Sequence, residues 1–249
     1  MTQLPEFSDD FRDATLDRSK WLSVYLPQWS SRAASAATCA TGPDGLTLTI
    51  APEQKPWSPE FDGANRVSSI QTGVFSGPPG SGIGQHRFKP GLVVRQEQQE
   101  ERLYVPHYGR FEMRARMELH PGQLAALWMI GFEDEPERSG EITIMEIFGE
   151  GIGEAGTELG HGIKAVNDPT LSTDFIAPRL PFSPEHHHIY AAEWDASGVA
   201  FYFNGRLLRR IDQSPAYPMQ FMLSLYELRP TGAPPPMLQV DWFRGYRLT

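Results

Sequence analysis

Gly109-Arg-Phe-Glu-Met-Arg-Ala-Arg-Met-Glu-Leu119 is the stretch that decides the fold class. Phe111, Met113, Ala115, Met117 and Leu119 alternate with Glu112, Arg114, Arg116 and Glu118. Side chains on a strand switch faces at every residue, so this is a long strand with one apolar and one charged face. Leu46-Thr-Leu-Thr-Ile50 repeats the pattern. Residues 199–203 and 206–211 flank Asn204-Gly205, a pair that supplies the positive φ of a tight two-residue hairpin turn. Further strands are predicted at 91–95, 123–130, 141–148, 160–166, 188–194, 219–226 and 237–248. Turn-forming stretches separate them: Gly77-Pro-Pro-Gly-Ser-Gly82 and residues 134–140, 149–156 and 229–236. None of these divides blocks of different composition, and there is no repeat and no long amphipathic helix. The reading is all-β, one antiparallel β-sandwich domain over residues 1–249. A curved sheet of this type can offer a concave face to a long polymer.

The composition excludes several classes. With 22 Lys and Arg against 31 Asp and Glu the net charge is −9, and such a surface repels phosphate backbones, so no nucleic-acid partner is expected. Cys39 is the single cysteine, which rules out an internal disulfide and a Cys-based zinc site. The longest apolar run, residues 124–130, is far too short to span a bilayer, so no membrane partner is expected. Met1-Thr-Gln-Leu-Pro-Glu-Phe7 has no basic patch followed by an apolar stretch. The expected location is the cytoplasm, or the exterior after removal of a leader, and the expected state is a monomer.

Gly140-Glu-Ile-Thr-Ile-Met-Glu-Ile-Phe148 carries the chemistry. Glu141 and Thr143 share a face by the two-residue period, and continuing it would put Glu146 on the other. One extra residue, a β-bulge, would restore Glu146 to the face of Glu141 and leave Met145 to the core. Two carboxylates projecting into one space are what a retaining glycosidase needs, one as nucleophile and one as acid. Without a bulge they point apart and the strand is an ordinary solvated one.

The sequence resembles glycoside hydrolase family 16, strongly from Tyr108 to Leu248 and weakly before that. Tyr108-Gly-Arg-Phe-Glu-Met-Arg-Ala115 is similar to the family's strand before the cleft, and Leu127-Trp-Met-Ile130 to its Trp-bearing next strand. Gly140-Glu-Ile-Thr-Ile-Met-Glu146 resembles its bulged catalytic strand, E-x-D-x-x-E. His188-Ile-Tyr-Ala-Ala-Glu-Trp-Asp195 with Val199-Ala-Phe-Tyr-Phe-Asn-Gly205 resembles its H-x-Y-x-x-E-W segment and hairpin. Val240-Asp-Trp-Phe-Arg-Gly-Tyr246 resembles its closing strand. These five matches follow the family's order. The resemblance implies a concanavalin A-like jelly roll with a cleft on its concave face, and retaining endo-hydrolysis of a β-linked polysaccharide without a catalytic cofactor.

By resemblance Glu141 is the nucleophile and Glu146 the acid/base. Thr143 stands where the family has Asp; it keeps a hydroxyl that can orient the nucleophile but loses the charge that tunes the acid. Residues 133–140 contain no aromatic, whereas many β-glucan-cleaving relatives carry a Trp there. Glu133, Asp134, Glu135 and Glu137 in the same loop would disfavour anionic substrates at the rim. Trp128 and Tyr226 match aromatic positions that line the cleft, where ring faces stack on sugars. Arg95 and His161 match positions facing the site, and Trp29 and Trp57 could extend it. The adjacent His186, His187 and His188 cannot converge on a metal, because neighbouring strand residues alternate faces. Asp10 and Asp241 match the family's structural calcium slots and offer the oxygen ligands that ion prefers. The function expected is hydrolysis of a β-glucan ahead of a galactan. The alternatives are a weakened or inactive carbohydrate-binding protein on the same fold, motivated by Thr143, and an unrelated lectin-like sandwich.

Overall fold

Two antiparallel sheets pack face to face in a computed structural model that describes residues 4–248. One sheet has eight strands, in the order Arg206–Ile211, Gly198–Phe203, His188–Asp195, Gly109–Glu118, Met237–Tyr246, Gly45–Thr49 and Thr38–Gly42, with Phe7–Asp9 also paired to Met237–Tyr246. The other has six: Asp174–Ile176, Gly160–Lys164, Glu141–Phe148, Gln123–Gly131, Met219–Glu227 and Arg66–Gln71. Helix is limited to the single turn Pro59–Asp62 and two 3-10 turns among the described residues, and no helix there is long and apolar enough to cross a membrane. This is the jelly-roll sandwich implied by the sequence.

The alternation in Gly109–Glu118 works as read. Phe111, Met113, Ala115 and Met117 are sealed between the sheets. Arg110, Arg114 and Arg116 project outward to Glu193, Asp241 and Gln239 on the two neighbouring strands. The hairpin closes at Asn204 and Gly205, both at positive φ (49° and 77°), as a primed turn requires.

The Gln123–Gly131 strand is apolar at nearly every position because both of its faces are covered. Ala125, Leu127 and Met129 enter the core between the sheets. Leu124, Ala126, Trp128 and Ile130 enter a second apolar layer with Tyr25, Leu26, Trp29, Trp57, Phe61, Leu92 and Val94. Loops from the N-terminal third therefore roof part of the six-stranded sheet, and the unroofed part is the site. A fully buried large apolar side chain contributes about 1.5–3 kcal/mol, so this layer is a substantial share of the stability.

The strand predicted at 91–95 is not one. Leu92 and Val94 are buried alternately, which produced the signal, but the backbone bonds run to loops: Val94 N–H to Ser81 O (2.8 Å) and Arg95 N–H to Gln28 O (2.7 Å). Conversely, Arg66–Gln71 and Thr38–Gly42 are sheet strands that periodicity missed. Ser68, Ser69 and Gln71 are buried on Arg66–Gln71, so polarity there does not report exposure.

Candidate active site

Glu141–Phe148 lies between Gly160–Lys164 and Gln123–Gly131, and both ladders slip at the same place. Leu127 pairs with Met145 and Trp128 with Thr143, so Ile144 is the extra residue. On the other side, one residue between Gly160 and Gly162 faces two between Thr143 and Glu146. This is the anticipated bulge. Ile142, Ile144, Met145 and Ile147 all reach the core, while Glu141 and Glu146 line one pocket on the opposite face.

That pocket has a volume of about 230 Å³. Its floor is Glu141, Glu146, Lys164, Trp128 and Tyr226; its far wall is Tyr25, Asp62, Asn65, His86 and Phe88. Thr143 Oγ1 donates to Glu141 Oε1 at 2.6 Å. Lys164 Nζ lies 2.9 Å from Glu141 Oε1 and 3.2 Å from Glu146 Oε2, so those two carboxylate oxygens are at most 6.1 Å apart. Trp128 is anchored by its indole N–H on Ser224 Oγ (3.1 Å), which also bonds Ser69 Oγ (2.7 Å). Tyr226 meets Tyr25 edge-on at 5.6 Å. On the wall, Trp57 Nε1 and Asn65 Nδ2 both donate to Asp62 Oδ2 at 2.7 Å. The His86 ring packs edge-on to Trp128 at 4.9 Å, and the His86 backbone N–H donates to Glu133 Oε1.

Burial lifts the Glu146 carboxyl above its ordinary value; the Lys164 ammonium pulls it back, and the Glu141 charge adds to the rise. Burial works against the Lys164 ammonium, but the two glutamates more than offset it and hold it protonated. Burial also pushes His86 below the ordinary histidine value, so its ring is neutral.

The structure brings Glu141, Thr143, Glu146, Trp128 and Tyr226 together and removes others. His161 faces the core side: its Nδ1 bonds to Leu159 O at 3.0 Å and its ring packs at 5.4 Å from Phe201. Arg95 is exposed, paired with Glu60 and lying over the Phe61 ring, outside the pocket. Trp29 and Trp57 are buried in the layer under the wall and present no face to a ligand. Asp241 is paired with Arg114 and Asp10 with Arg244, so guanidinium groups meet both carboxylates where the resemblance implied calcium. No group of three or more His, Cys, Asp or Glu among the described residues could hold a metal ion. Of the four acids in the loop, Glu137 is exposed, and the other three are not free charges. Glu133 is buried, and Asp134 and Glu135 pair with Arg102 and Arg138.

Sequence reasoning missed Lys164 and the whole far wall. Lys164 is the cross-strand partner of Glu141, a fact of register that no local pattern encodes. The wall residues stand in irregular segments or, for Asp62, in a single helical turn, with no periodicity to read. A larger cleft of about 760 Å³ lies beside Tyr104, His107 and Tyr108, but its acids, Glu6 before the Phe7–Asp9 strand and Asp195 at the end of His188–Asp195, belong to separate segments. The paired carboxylates select the smaller pocket.

A family model for glycosyl hydrolases family 16 matches residues 103–244. A glucan endo-1,3-β-glucosidase A1 from Niallia circulans is 24% identical over 113 residues, 44% of this chain and 17% of that protein. Among solved structures, a GlcNAcα1-4Gal-releasing endo-β-galactosidase from Clostridium perfringens is 29% identical with a TM-score of 0.86, over 98% of this chain and 62% of the other. The laminarinase catalytic domain from Thermotoga petrophila superimposes with a TM-score of 0.69 at 18% identity, over 99% of this chain and 98% of the other. The chain thus spans less than two thirds of the glucosidase and of the galactosidase.

Proposed function

The chain belongs to glycosyl hydrolase family 16, and from that premise we propose that it is a glycoside hydrolase, a retaining, endo-acting enzyme that cuts a neutral β-linked glycan with Glu141 and Glu146. One observation supports the mechanism: a single ammonium, Lys164, reaches an oxygen of each carboxylate, at 2.9 and 3.2 Å, which holds the two acids close on one face and suits the shorter of the two spacings known for such pairs. Retaining enzymes hold their carboxyl groups about 5–5.5 Å apart, and inverting ones about 6.5–9.5 Å, to admit a water. Glu141 Oε1 is engaged by Thr143 and Lys164, which leaves Oε2 to attack the anomeric carbon. The bond to the leaving sugar breaks as Glu146 gives its proton to the departing oxygen. Glu146, now a carboxylate, takes a proton from water, whose oxygen attacks the same carbon and releases Glu141. Two inversions give net retention. The burial that raises Glu146 suits the acid role. The Thr143 hydroxyl keeps the nucleophile oriented, which favours an active enzyme over a binding protein.

For the substrate, a β-galactoside stands ahead of a β-glucan, the reverse of the order expected from sequence. Over nearly the whole chain the galactosidase likeness is the stronger, 29% identical with a TM-score of 0.86 against 18% and 0.69 for the laminarinase. The glucan reading keeps its support from the glucosidase match. Neither calcium nor a catalytic cofactor enters the proposal.

The test is a panel of β-galactan, mucin-type glycan, β-1,3-glucan and mixed-linkage glucan, with reducing ends counted and product anomers followed by proton NMR. Retained β-anomers, lost at least 1,000-fold in Glu141→Gln (about 4 kcal/mol), are expected. Saturable binding without product on every glycan would replace the hydrolase by the binding protein.

A further inference from the structure

Nothing in a two-glutamate displacement calls for a lysine between the carboxylates, yet the fold builds a place for one. Lys164 Nζ bridges Glu141 Oε1 and Glu146 Oε2 at 2.9 and 3.2 Å. It also lies 4.8 Å from the centre of the Phe175 ring, which backs it from the neighbouring strand. That ring fills the space over Gly160, where a Cβ would come within 2.6 Å of Phe175 Cζ. Side-chain-free Gly160 therefore lets the aromatic backing reach the ammonium. Three carboxylates line the pocket, Asp62, Glu141 and Glu146, and Lys164 is the one lysine or arginine among its described lining residues. Thr143, uncharged, completes the set at the position where the resemblance places an aspartate.

The reaction moves one negative charge. Before the first step Glu141 is the carboxylate and Glu146 carries the proton. In the covalent intermediate Glu141 is a neutral ester and Glu146 is the carboxylate. We propose that Lys164 is a positioning residue that serves as the fixed counter-charge for this single anion as it passes from Glu141 to Glu146 and back, and that it holds Glu141 by Oε1 so that Oε2 attacks. The inference rests on the reading of these glutamates as the catalytic pair. An ammonium within hydrogen-bond reach of both positions needs no large movement to follow the charge, and preorganised charge of this kind avoids reorganisation during the step. An aspartate at the Thr143 position would act with the opposite sign, so this chain tunes its acid by a cation.

Other groups facing Lys164 are Asp62, His86 and Tyr25 across the pocket, Tyr226 on the same floor, and Phe175 beside it. Burial, with the Lys164 charge adding to it, keeps the proton affinity of His86 below the ordinary histidine value, and burial pushes the two tyrosines up; Glu146 is the acid in direct contact with the ammonium, so its own NMR midpoint is the readout that isolates the pair. Lys164 lowers the proton affinity of Glu146. Removing it lets Glu146 keep its proton to higher pH.

The test compares wild type with Lys164→Met, Lys164→Gln and Lys164→Arg, on the glycan cleaved fastest in the panel and by carboxyl-carbon NMR of 13C-glutamate-labelled protein. In the Met and Gln variants kcat is expected to fall roughly 10- to 100-fold with KM changed less than about threefold, as for a lost transition-state interaction. The basic limb of kcat/KM and the Glu146 NMR midpoint should both rise, by about one pH unit. Lys164→Arg should return both toward wild type. A folded Met or Gln variant whose limb and midpoint coincide with wild type overturns the proposal, whatever its rate. The NMR arm needs no turnover. An inactive wild type whose Glu146 midpoint still rises in Lys164→Gln sinks the hydrolase reading and leaves the Lys164–Glu146 coupling standing.

Discussion

Arg110, Arg114 and Arg116 on the outward face of the eight-stranded sheet meet Glu193, Asp241 and Gln239 under solvent. On the outward face of the six-stranded sheet, Leu124, Ala126, Trp128 and Ile130 meet a roof of loops. The first face pays little for its charges because water screens and solvates them. At the edge of the roof, where the site opens, a charge that is half-buried must be paired or used. Trp128, Ser224 and Ser69 satisfy one another, and Glu141, Glu146 and Lys164 form one cluster, while on the wall Asn65 Oδ1 and His86 Nδ1 find no protein partner. Identical two-residue periodicity thus yields a passive face and a reactive one, and the roof makes the difference.

The largest test of that contrast is Glu133, buried beneath the roof and pushed up to about 8 mainly by burial, against the ordinary 4.5. A carboxyl whose folded pKa is raised gives its full stabilisation below the ordinary value and loses it as pH rises through about 8. Wild-type stability should therefore fall between about pH 4.5 and 8, by at most roughly 5 kcal/mol from this group. Glu133→Gln, which retains an acceptor for the His86 N–H, should flatten the slope in urea titrations at pH 5 and 9. Parallel slopes for the two proteins would make Glu133 an ordinary surface acid.

Trp57→Ala tests whether the roof is a second core. Its ring is 1% exposed, and its N–H is spent on Asp62. Removal should cost about 3–5 kcal/mol in denaturant unfolding; a cost under about 1 kcal/mol would reduce the roof to a loose cover.

Thr143→Val removes one donor from Glu141 and little volume. A hydrogen bond to a charged group contributes about 1.5–3 kcal/mol, and because Lys164 still holds the same oxygen the lower end is expected, roughly tenfold in kcat. An unchanged rate would assign the orientation of Glu141 to Lys164 alone. On the solvent face, Arg116→Ala should change stability by no more than about 1 kcal/mol. A loss of several kcal/mol, measured the same way, would erase the distinction between the two faces.

Much of this was legible along the chain. The charged strand at 109–118 and the Asn204-Gly205 hairpin each follow from neighbours in sequence, whereas alternation leaves the bulge between Thr143 and Glu146 open and the resemblance points to it. Parity also states that His161 and Lys164 face opposite sides of their strand. It does not say which side holds the site, and the resemblance pointed to His161. Register decides otherwise: Lys164 pairs with Glu141, leaving His161 to pack on Phe201. Arg95 and the predicted strand at 91–95 failed for a related reason. Leu92 and Val94 alternate because a roof buries them, not because a ladder holds them.

The chain by itself determined the β class, the hairpin, and the five-residue spacing of glutamates that only a bulge can bring to one face. Periodicity and turn chemistry act between residues a few positions apart, so they survive in a linear reading. Tertiary structure alone decided the ammonium between the acids, the wall of Tyr25, Asp62, Asn65 and His86, and the burial that raises Glu146. Those depend on ladders and loops closing over long separations in sequence, where the partner of a side chain is fixed by register and by the exclusion of water.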